Sequence, residues 1–483
     1  MKSLKELFEG LPVRWTAHDD KLIKGITADS RAAKPGYIFF AISGTQQDGH
    51  AFIRDAIGKG ANVIVCQHVP FNTSDALFIQ VDDPAYYYGE VCARFFDHPS
   101  KKLKLVGVTG TNGKTSTVTF LQQLTEHLGF KAGLISTIHY YDGKNDVPAT
   151  HTTPDAFTLQ SLLAKMVDNG CQYAFMEVSS HAVVQKRIQG LHFAGGVFTN
   201  ITHDHLDYHQ TFKNYIEAKQ SFFTQLPNEA FALYNADDRN GKIMVQNAKA
   251  QKYSYAIHSL ADFKTEIKEM SMEGMLLSIQ QKQVWVQSVG QFNAYNLTAV
   301  YATGVLLGFP ENEILISLSK LRPPRGRFEV IRSQDGVYAI VDYAHTPDAL
   351  ENLLSTVRQI GIKGELWVLG GAGGNRDASK RPIMASVMSK WADRVILTSD
   401  NPRNEDPQSI IDQMYAGVPY EERKKVLQIV DRKTAIETAC KLVKPGDVVV
   451  VAGKGHETYQ EIQGVKHPFN DIKIIEESFN NRS

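Results

Sequence analysis

The stretch GVTGTNGKT, residues 107 to 115, holds the residue types best suited to chemistry in this 483-residue chain. An apolar run (Leu103, Leu105, Val106, Val108) enters it. A helical pattern leaves it, with Phe120, Leu121, Leu124 and Leu128 recurring at spacings of three and four. A strand, a glycine-rich turn and a helix N-terminus together make an anion cradle, because backbone N–H groups and the positive helix end face the same point. The segment predicts a phosphate site built on Gly110, Thr111, Asn112 and Gly113, with Lys114 reaching terminal phosphates and the Thr115 hydroxyl holding magnesium. The usual spacing of a phosphate loop fails by one position. Val108 stands where the first glycine belongs, between Gly107 and Gly110.

Two further apolar runs end in polar residues. YAFMEVSSH places Glu177 at a strand end, where it can serve as a magnesium carboxylate or lie as a solvated end. GGVFTNITHDHLDYH brings His203, His205, Asp207 and His209 close to the HxHxDH pattern of dinuclear zinc hydrolases, but Tyr208 occupies the place of the last histidine. Hard oxygen ligands with at most one imidazole suit magnesium better than zinc. In TFKNYIEAKQSFF, Phe212, Tyr215, Ile216, Phe222 and Phe223 mark an apolar helix face, and Lys219, seven residues after Phe212, falls on it. Such a lysine either snorkels its amine to water or is desolvated. A desolvated amine is partly neutral, so it can react with carbon dioxide to give a carbamate able to ligate a metal.

Acidic and basic residues balance at 52 each, so no global field favours nucleic acid or an anionic membrane. The four cysteines (Cys66, Cys92, Cys171, Cys440) form no CxxC pair, which suits reduced, buried thiols. MKSLKELFEGL reads as a short amphipathic helix, and the longest apolar runs, such as residues 448 to 452, are strand-sized. A soluble, cytoplasmic monomer is expected.

The elements that must position these residues divide the chain into three α/β domains. Residues 1–98 alternate YIFFAI, a helix over 51 to 58, NVIVCQ and ALFIQV, with the turn-rich DSR and DGHAFI segments (Ser30, Arg31, Gly44 to His50) forming a surface loop system or a small pocket. Residues 99–322 carry the phosphate loop on a mostly parallel sheet, hairpins over 260–290, and the helix GQFNAYNLTAVYATGVLLG, which offers Asn293 and Asn296 at its start. Asp237, Asp238 and Arg239 either flank a nucleotide or close a turn. Residues 323–483 follow the hinge RPPRGRFEV and read as a doubly wound, Rossmann-like domain. GGAGG has no GxGxxG register, which argues against a dehydrogenase. Four of its strands end in polar clusters: Asp342 with His345, Asn375 to Asp377, Asp400 to Arg403, and Lys454 to Glu457. In an open α/β sheet, ligands collect at such ends.

These motifs together resemble the Mur ligases, the amide ligases of peptidoglycan precursors, over essentially the whole chain. DSR…PGYIFFAISG…DGHAFI resembles the family's UDP-binding first domain, and GVTGTNGKT is its variant phosphate loop. HTTPD, MEVSSHAVVQKRIQG, NITHDHLDYH and YIEAK match the central domain. RPPRGRFE, VDYAHTPDAL, DNPRNEDP and GKGHE match the third. The resemblance implies that Ser30 contacts UDP, and that Thr152, Thr153, Ser179, Gln185 and Arg187 hold the sugar nucleotide and its peptide arm. Lys114 and Thr115 would take the ATP phosphates and Mg2+. Glu177 and His205 would be further metal partners, and Lys219 the family's carbamylated lysine. Asn296, Arg327, Asp342 and His345 would lie near adenine, ribose and phosphates. The amino acid would sit among Arg376, Asp400, Asn401, Pro402, Arg403, Gly453 and Glu457. DNPR is the pattern of the branch adding meso-diaminopimelate to a UDP-N-acetylmuramoyl dipeptide. The lysine-adding branch lacks the arginine. His151 departs from members that carry asparagine there. Folylpolyglutamate synthetases share the phosphate loop and third domain, but should lack the first domain and the SSH…QxR segment. A non-catalytic nucleotide-binding protein would be expected to lose Lys219, His205 or Glu177, and all three are present.

Overall fold

The structure, a computed structural model, describes residues 1–16, 20–44, 47–70, 75–202, 204 and 206–482, with the backbone alone for 206 and 207. His203 and His205 lie outside the described residues.

Three α/β units follow one another. The first sheet orders its strands Arg14–Trp15, Leu77–Gln80, Val63–Cys66, Tyr37–Phe40 and Gly25–Thr27, parallel except at the Arg14–Trp15 edge. Its central strand Val63–Cys66 is buried at every position, as a parallel strand covered on both faces must be. The helix expected over 51–58 is split. Asp48 accepts the His50 N–H at 3.0 Å and starts a tight 3-10 turn, Gly49–Phe52, before the α-helix Ile53–Gly58. The helix Pro84–Phe95, capped by Asp83, leads out of this unit through Asp97 and His98, both at positive φ.

The second sheet has eleven strands. At its centre Lys104–Thr109 runs parallel between Tyr173–Glu177 and Gly195–Phe198, so all three carboxyl ends emerge on one edge. The far end closes in the antiparallel hairpin of Gly274–Ile279 with Lys282–Val286. The helices Lys114–His127 and Gln291–Leu306 pack on one face, through Val118, Phe120, Leu121 and Leu297. Ala156–Asp168 and Phe212–Thr224 cover the other, through Leu159, Leu163, Tyr215 and Phe222.

The third sheet orders Glu329–Arg332, Tyr338–Asp342, Val448–Ala452, Leu366–Gly370, Arg394–Leu397 and Val426–Gln428, parallel apart from its first strand. The helix expected from Asp348 begins at Pro347, with Thr346 accepting the Ala349 N–H at 3.3 Å. No helix among the described residues is long and apolar enough to cross a membrane. All four cysteines are buried, and burial pushes the thiols of Cys66 and Cys171 up to about 11.

Candidate active site

The turn after Lys104–Thr109 is tight for two reasons. Gly110 has φ +155°, and a Cβ there would meet the Thr199 hydroxyl at 1.9 Å. Gly113 has φ +86°, and a Cβ would lie 2.5 Å from Asn296 Oδ1, so only glycine lets the loop lie against the helix Gln291–Leu306. The turn is tied to the next strand end: the Asn112 N–H donates to Asn200 Oδ1 at 2.9 Å, and the Thr199 hydroxyl donates to the Asn112 carbonyl at 2.6 Å. Lys114 curls back, its Nζ donating to the carbonyls of Gly110 at 2.9 Å and Thr111 at 2.8 Å.

Glu177, 1% exposed, ends the adjacent strand. Its carboxylate accepts the Thr115 hydroxyl at 2.8 Å, the Thr137 N–H at 2.7 Å and the Thr137 hydroxyl at 3.1 Å. The Thr137 hydroxyl also donates to Thr152 at 3.0 Å. This buried carboxylate, bound only by hydroxyls and one amide at the head of the phosphate loop, is a hard-oxygen set that fits magnesium rather than zinc. Among the described residues no group of three His, Cys, Asp or Glu side chains could hold a metal by itself, and His203 and His205 of the zinc-hydrolase pattern lie outside them.

Lys219 does not snorkel. It is 1% exposed, its Nζ donates to the Gly110 carbonyl at 2.8 Å, and it lies 4.8 Å from the Tyr215 ring centroid. Burial, reinforced by the neighbouring Lys114 charge, holds its amine well below the usual lysine range. The helix Phe212–Thr224 places it there because Tyr215, Phe222 and Phe223 are buried along the same face.

Across the cleft the third domain presents its own strand ends. The Arg327 guanidinium lies 4.5 Å above the Tyr343 ring and donates to the Thr115 hydroxyl at 3.4 Å. Asp342 accepts the Phe328 N–H at 2.7 Å, and His345 Nδ1 is 2.8 Å from the Tyr343 carbonyl. Asn401 Nδ2 donates to Glu457 at 2.8 Å. Asp400 accepts the Asn401 N–H at 2.6 Å, and the Pro402 carbonyl accepts the Glu405 N–H at 3.0 Å. The Arg403 side chain is already engaged on the protein. Nη1 donates to the Gly374 carbonyl at 2.8 Å, and Nε pairs with Glu461 at 3.4 Å.

A single cleft of ≈ 820 Å³ unites these groups. Lys114, Thr115, Glu177 and Asn296 line one wall, with Thr111, Asn112, Gly113 and Thr152. Arg327, Asp342, His345, Arg376, Asp400, Asn401, Arg403, Gly453 and Glu457 line the other. Gly110, Lys219 and Pro402 stand behind that surface. Thr153, Ser179, Gln185 and Arg187 form a separate group. Arg187 donates to the Thr153 carbonyl at 2.7 Å and to Gln185 Oε1 at 2.6 Å, and the Thr153 hydroxyl accepts the Ser179 N–H at 3.1 Å. Ser30 is buried in the first domain, apart from the cleft.

Three family descriptions cover most of the chain. Mur ligase family, catalytic domain, matches residues 22–95, the Mur ligase middle domain residues 108–304, and Mur ligase, glutamate ligase domain, residues 326–455. The UDP-N-acetylmuramoyl-L-alanyl-D-glutamate--2,6-diaminopimelate ligase of Bacteroides fragilis is 51% identical over 479 residues, spanning 99% of both chains. This chain belongs to the Mur ligase family. The Cytophaga hutchinsonii ligase of the same name is 53% identical over 457 residues, 94% of each chain. A solved structure of a ligase of that name superposes with a TM-score of 0.70 at 31% identity, covering 99% of each chain.

In this Mur ligase, several supporting contacts escaped the sequence reading, which had placed Lys454 at a strand end without its partners. Lys454, fully buried, donates to Asn401 Oδ1 at 3.0 Å and Glu457 at 2.8 Å, organising that strand-end edge of the cleft. The buried pair Arg432–Asp471 makes two bonds, at 2.9 and 2.8 Å, and Arg432 donates to the Ala452 carbonyl at 2.9 Å. Asp348 accepts Asn112 Nδ2 at 3.1 Å and the Thr202 hydroxyl at 3.3 Å, while Lys380 pairs with Asp204 at 2.8 Å. The Asp348 and Lys380 contacts clasp the third domain of the Mur ligase to its phosphate loop and to the segment after Gly195–Phe198.

Proposed function

We propose that this chain is a cytoplasmic ATP-dependent ligase that joins meso-diaminopimelate to the D-glutamate side-chain carboxylate of UDP-N-acetylmuramoyl-L-alanyl-D-glutamate. The observation that carries this reading is the single cleft in which Lys114 and the Thr115–Glu177 pair face the Asp400–Asn401–Glu457 edge. It agrees with the near full-length identity to ligases of that name. We assign domain boundaries near residues 98 and 322.

A carboxylate resists amine attack until one oxygen becomes a leaving group. A glutamate oxygen therefore attacks the γ-phosphorus of ATP, the bond to the β–γ bridging oxygen breaks, and ADP leaves with that electron pair. The neutral amine of diaminopimelate then adds to the carbonyl carbon of the acyl phosphate, the C–O bond to phosphate breaks, and inorganic phosphate departs with that electron pair and the proton lost by the amine. Lys114 and the loop amides stabilise the negative charge on the transferring phosphoryl group. Thr115, Glu177, His205 and a carbamate on Lys219 would hold Mg2+, which supplies charge neutralisation between the carboxylate and the triphosphate. Asn296, Arg327, Asp342 and His345 serve the nucleotide. Thr152, Thr153, Ser179, Gln185 and Arg187, with Ser30, serve the UDP-sugar peptide. The clasp from Asp348 and Lys380 keeps water from the acyl phosphate.

Arg376, Asp400, Arg403, Gly453 and Glu457 receive the amino acid, and Arg403 reads its distal carboxylate. Lysine lacks that carboxylate and would leave the arginine unmatched, a mismatch worth about 10⁴-fold in a site built for a polar partner. Phosphate release from ATP and UDP-N-acetylmuramoyl-L-alanyl-D-glutamate, compared with meso-diaminopimelate and L-lysine, tests this. Release with diaminopimelate alone is expected. Equal release with lysine would remove the Arg403 reading, and silence with both would remove the ligase.

A further inference from the structure

Arg403 is held in an unusual way. Its φ of +52° is in the left-handed region, which non-glycine residues adopt at a cost and which persists only where surroundings impose it. The imposing element is the hairpin of Tyr459–Ile462 with Val465–Pro468, turned through Gln463 and Gly464, both at positive φ. This two-stranded sheet pairs with neither strand edge of the third domain's main sheet. A lone hairpin is marginal in water, so its seat matters.

That seat is residues 400 to 403. The Arg403 N–H donates to the Glu461 carbonyl at 3.0 Å, and the Gln463 N–H donates to the Arg403 carbonyl at 2.7 Å. The Glu461 N–H donates to Asn401 Oδ1 at 2.9 Å, and Gln460 Nε2 to the Asp400 carbonyl at 2.7 Å. The side chains repeat the grip. Glu461 Oε2 lies 3.4 Å from Arg403 Nε, while Nη1 donates to the Gly374 carbonyl at 2.8 Å. Two sides of the planar guanidinium are thereby engaged. Nη2 and the second hydrogen of Nη1 are left for a carboxylate, and Arg403 lines the cleft.

We propose that Glu461 is a positioning residue for amino-acid selection, holding the Arg403 fork with its end toward the cleft. This rests on the reading that Arg403 binds the distal carboxylate of diaminopimelate. The Arg403–Glu461 pair is about a quarter exposed (24% and 26%), which limits its worth to about fivefold.

Steady-state kinetics on the full chain tests it. Glu461→Ala should raise the KM for meso-diaminopimelate about fivefold, leave kcat and the KM for ATP within about twofold, and narrow discrimination against L-lysine by the same factor. Glu461→Gln, which keeps an acceptor for Nε, should recover part of the loss. In an Arg403→Ala background, Glu461→Ala should add nothing. A KM that stays or falls in Glu461→Ala, or a full effect on the Arg403→Ala background, overturns the positioning role. An unchanged diaminopimelate KM in Arg403→Ala itself overturns the reading beneath it.

Discussion

Lys219 and Lys114 share one acceptor: both amines donate to the Gly110 carbonyl, at 2.8 and 2.9 Å. Burial holds both amines below the usual lysine range, and Lys219, pushed further by the neighbouring Lys114 charge, lies well below it. That shift favours the neutral, nucleophilic form of Lys219, beside the residues that would hold magnesium. Carbon dioxide capture there would turn a repulsive contact into a favourable one, since a carbamate is an anion next to Lys114. We expect Lys219→Ala to abolish ligation, with added acetate or formate restoring part of it. Full activity in the alanine variant would exclude the carbamate.

The same amine has a pH signature. Its folded pKa is depressed below the unfolded value, so between the two the unfolded chain binds the extra proton and stability falls as pH falls. In buffer freed of carbon dioxide, Lys219→Met should be more stable than the parent by about 1–3 kcal/mol near pH 7. The gap should close as pH rises toward the ordinary lysine range. Urea midpoints across that pH series measure it.

Glu177→Gln keeps an oxygen for the Thr115 hydroxyl and the Thr137 N–H but removes the negative charge. The expected outcome is a kcat lowered by about 10²–10³-fold with a thermal midpoint close to the parent's. Retained kcat would show that the carboxylate is structural.

Asp348 connects the helix Pro347–Ile360 to the phosphate loop through Asn112 and to Thr202. Removing it in Asp348→Ala should lower kcat/KM for all three substrates together, by about tenfold, as loss of a charge-assisted clasp predicts. A drop confined to ATP would mean that Asp348 acts on the nucleotide alone.

Arg432→Met would leave Asp471 buried without its cation and cost about 3–5 kcal/mol. The double variant Arg432→Met, Asp471→Leu should recover much of that, because it removes the stranded charge. Equal losses in both, read from denaturant unfolding, would place the importance in the Arg432 bond to the Ala452 carbonyl.

Much of the site was legible because its signals are local. Strand, glycine turn and helix are adjacent in GVTGTNGKT, and the helix Lys114–His127 starts where that spacing requires. Lys219 sits on the apolar face that helical periodicity assigned it, and four polar clusters end the third-domain strands as their alternation suggested. The helix over 51–58 was misjudged at its start because a side-chain cap at Asp48 tightened the first turn, a choice that hydrophobic periodicity does not register.

By itself, then, the sequence determined the elements, the polar strand ends and the Mur ligase resemblance, all of which depend on residues a few positions apart. Tertiary structure alone decided what each side chain meets. Lys219 finds the Gly110 carbonyl across 109 positions, Lys454 finds Asn401 across 53, and Arg403 finds Glu461 in a separate hairpin. Those pairings follow from strand order and crossovers, and from burial that leaves a polar group no water and forces it onto whichever partner the packing supplies.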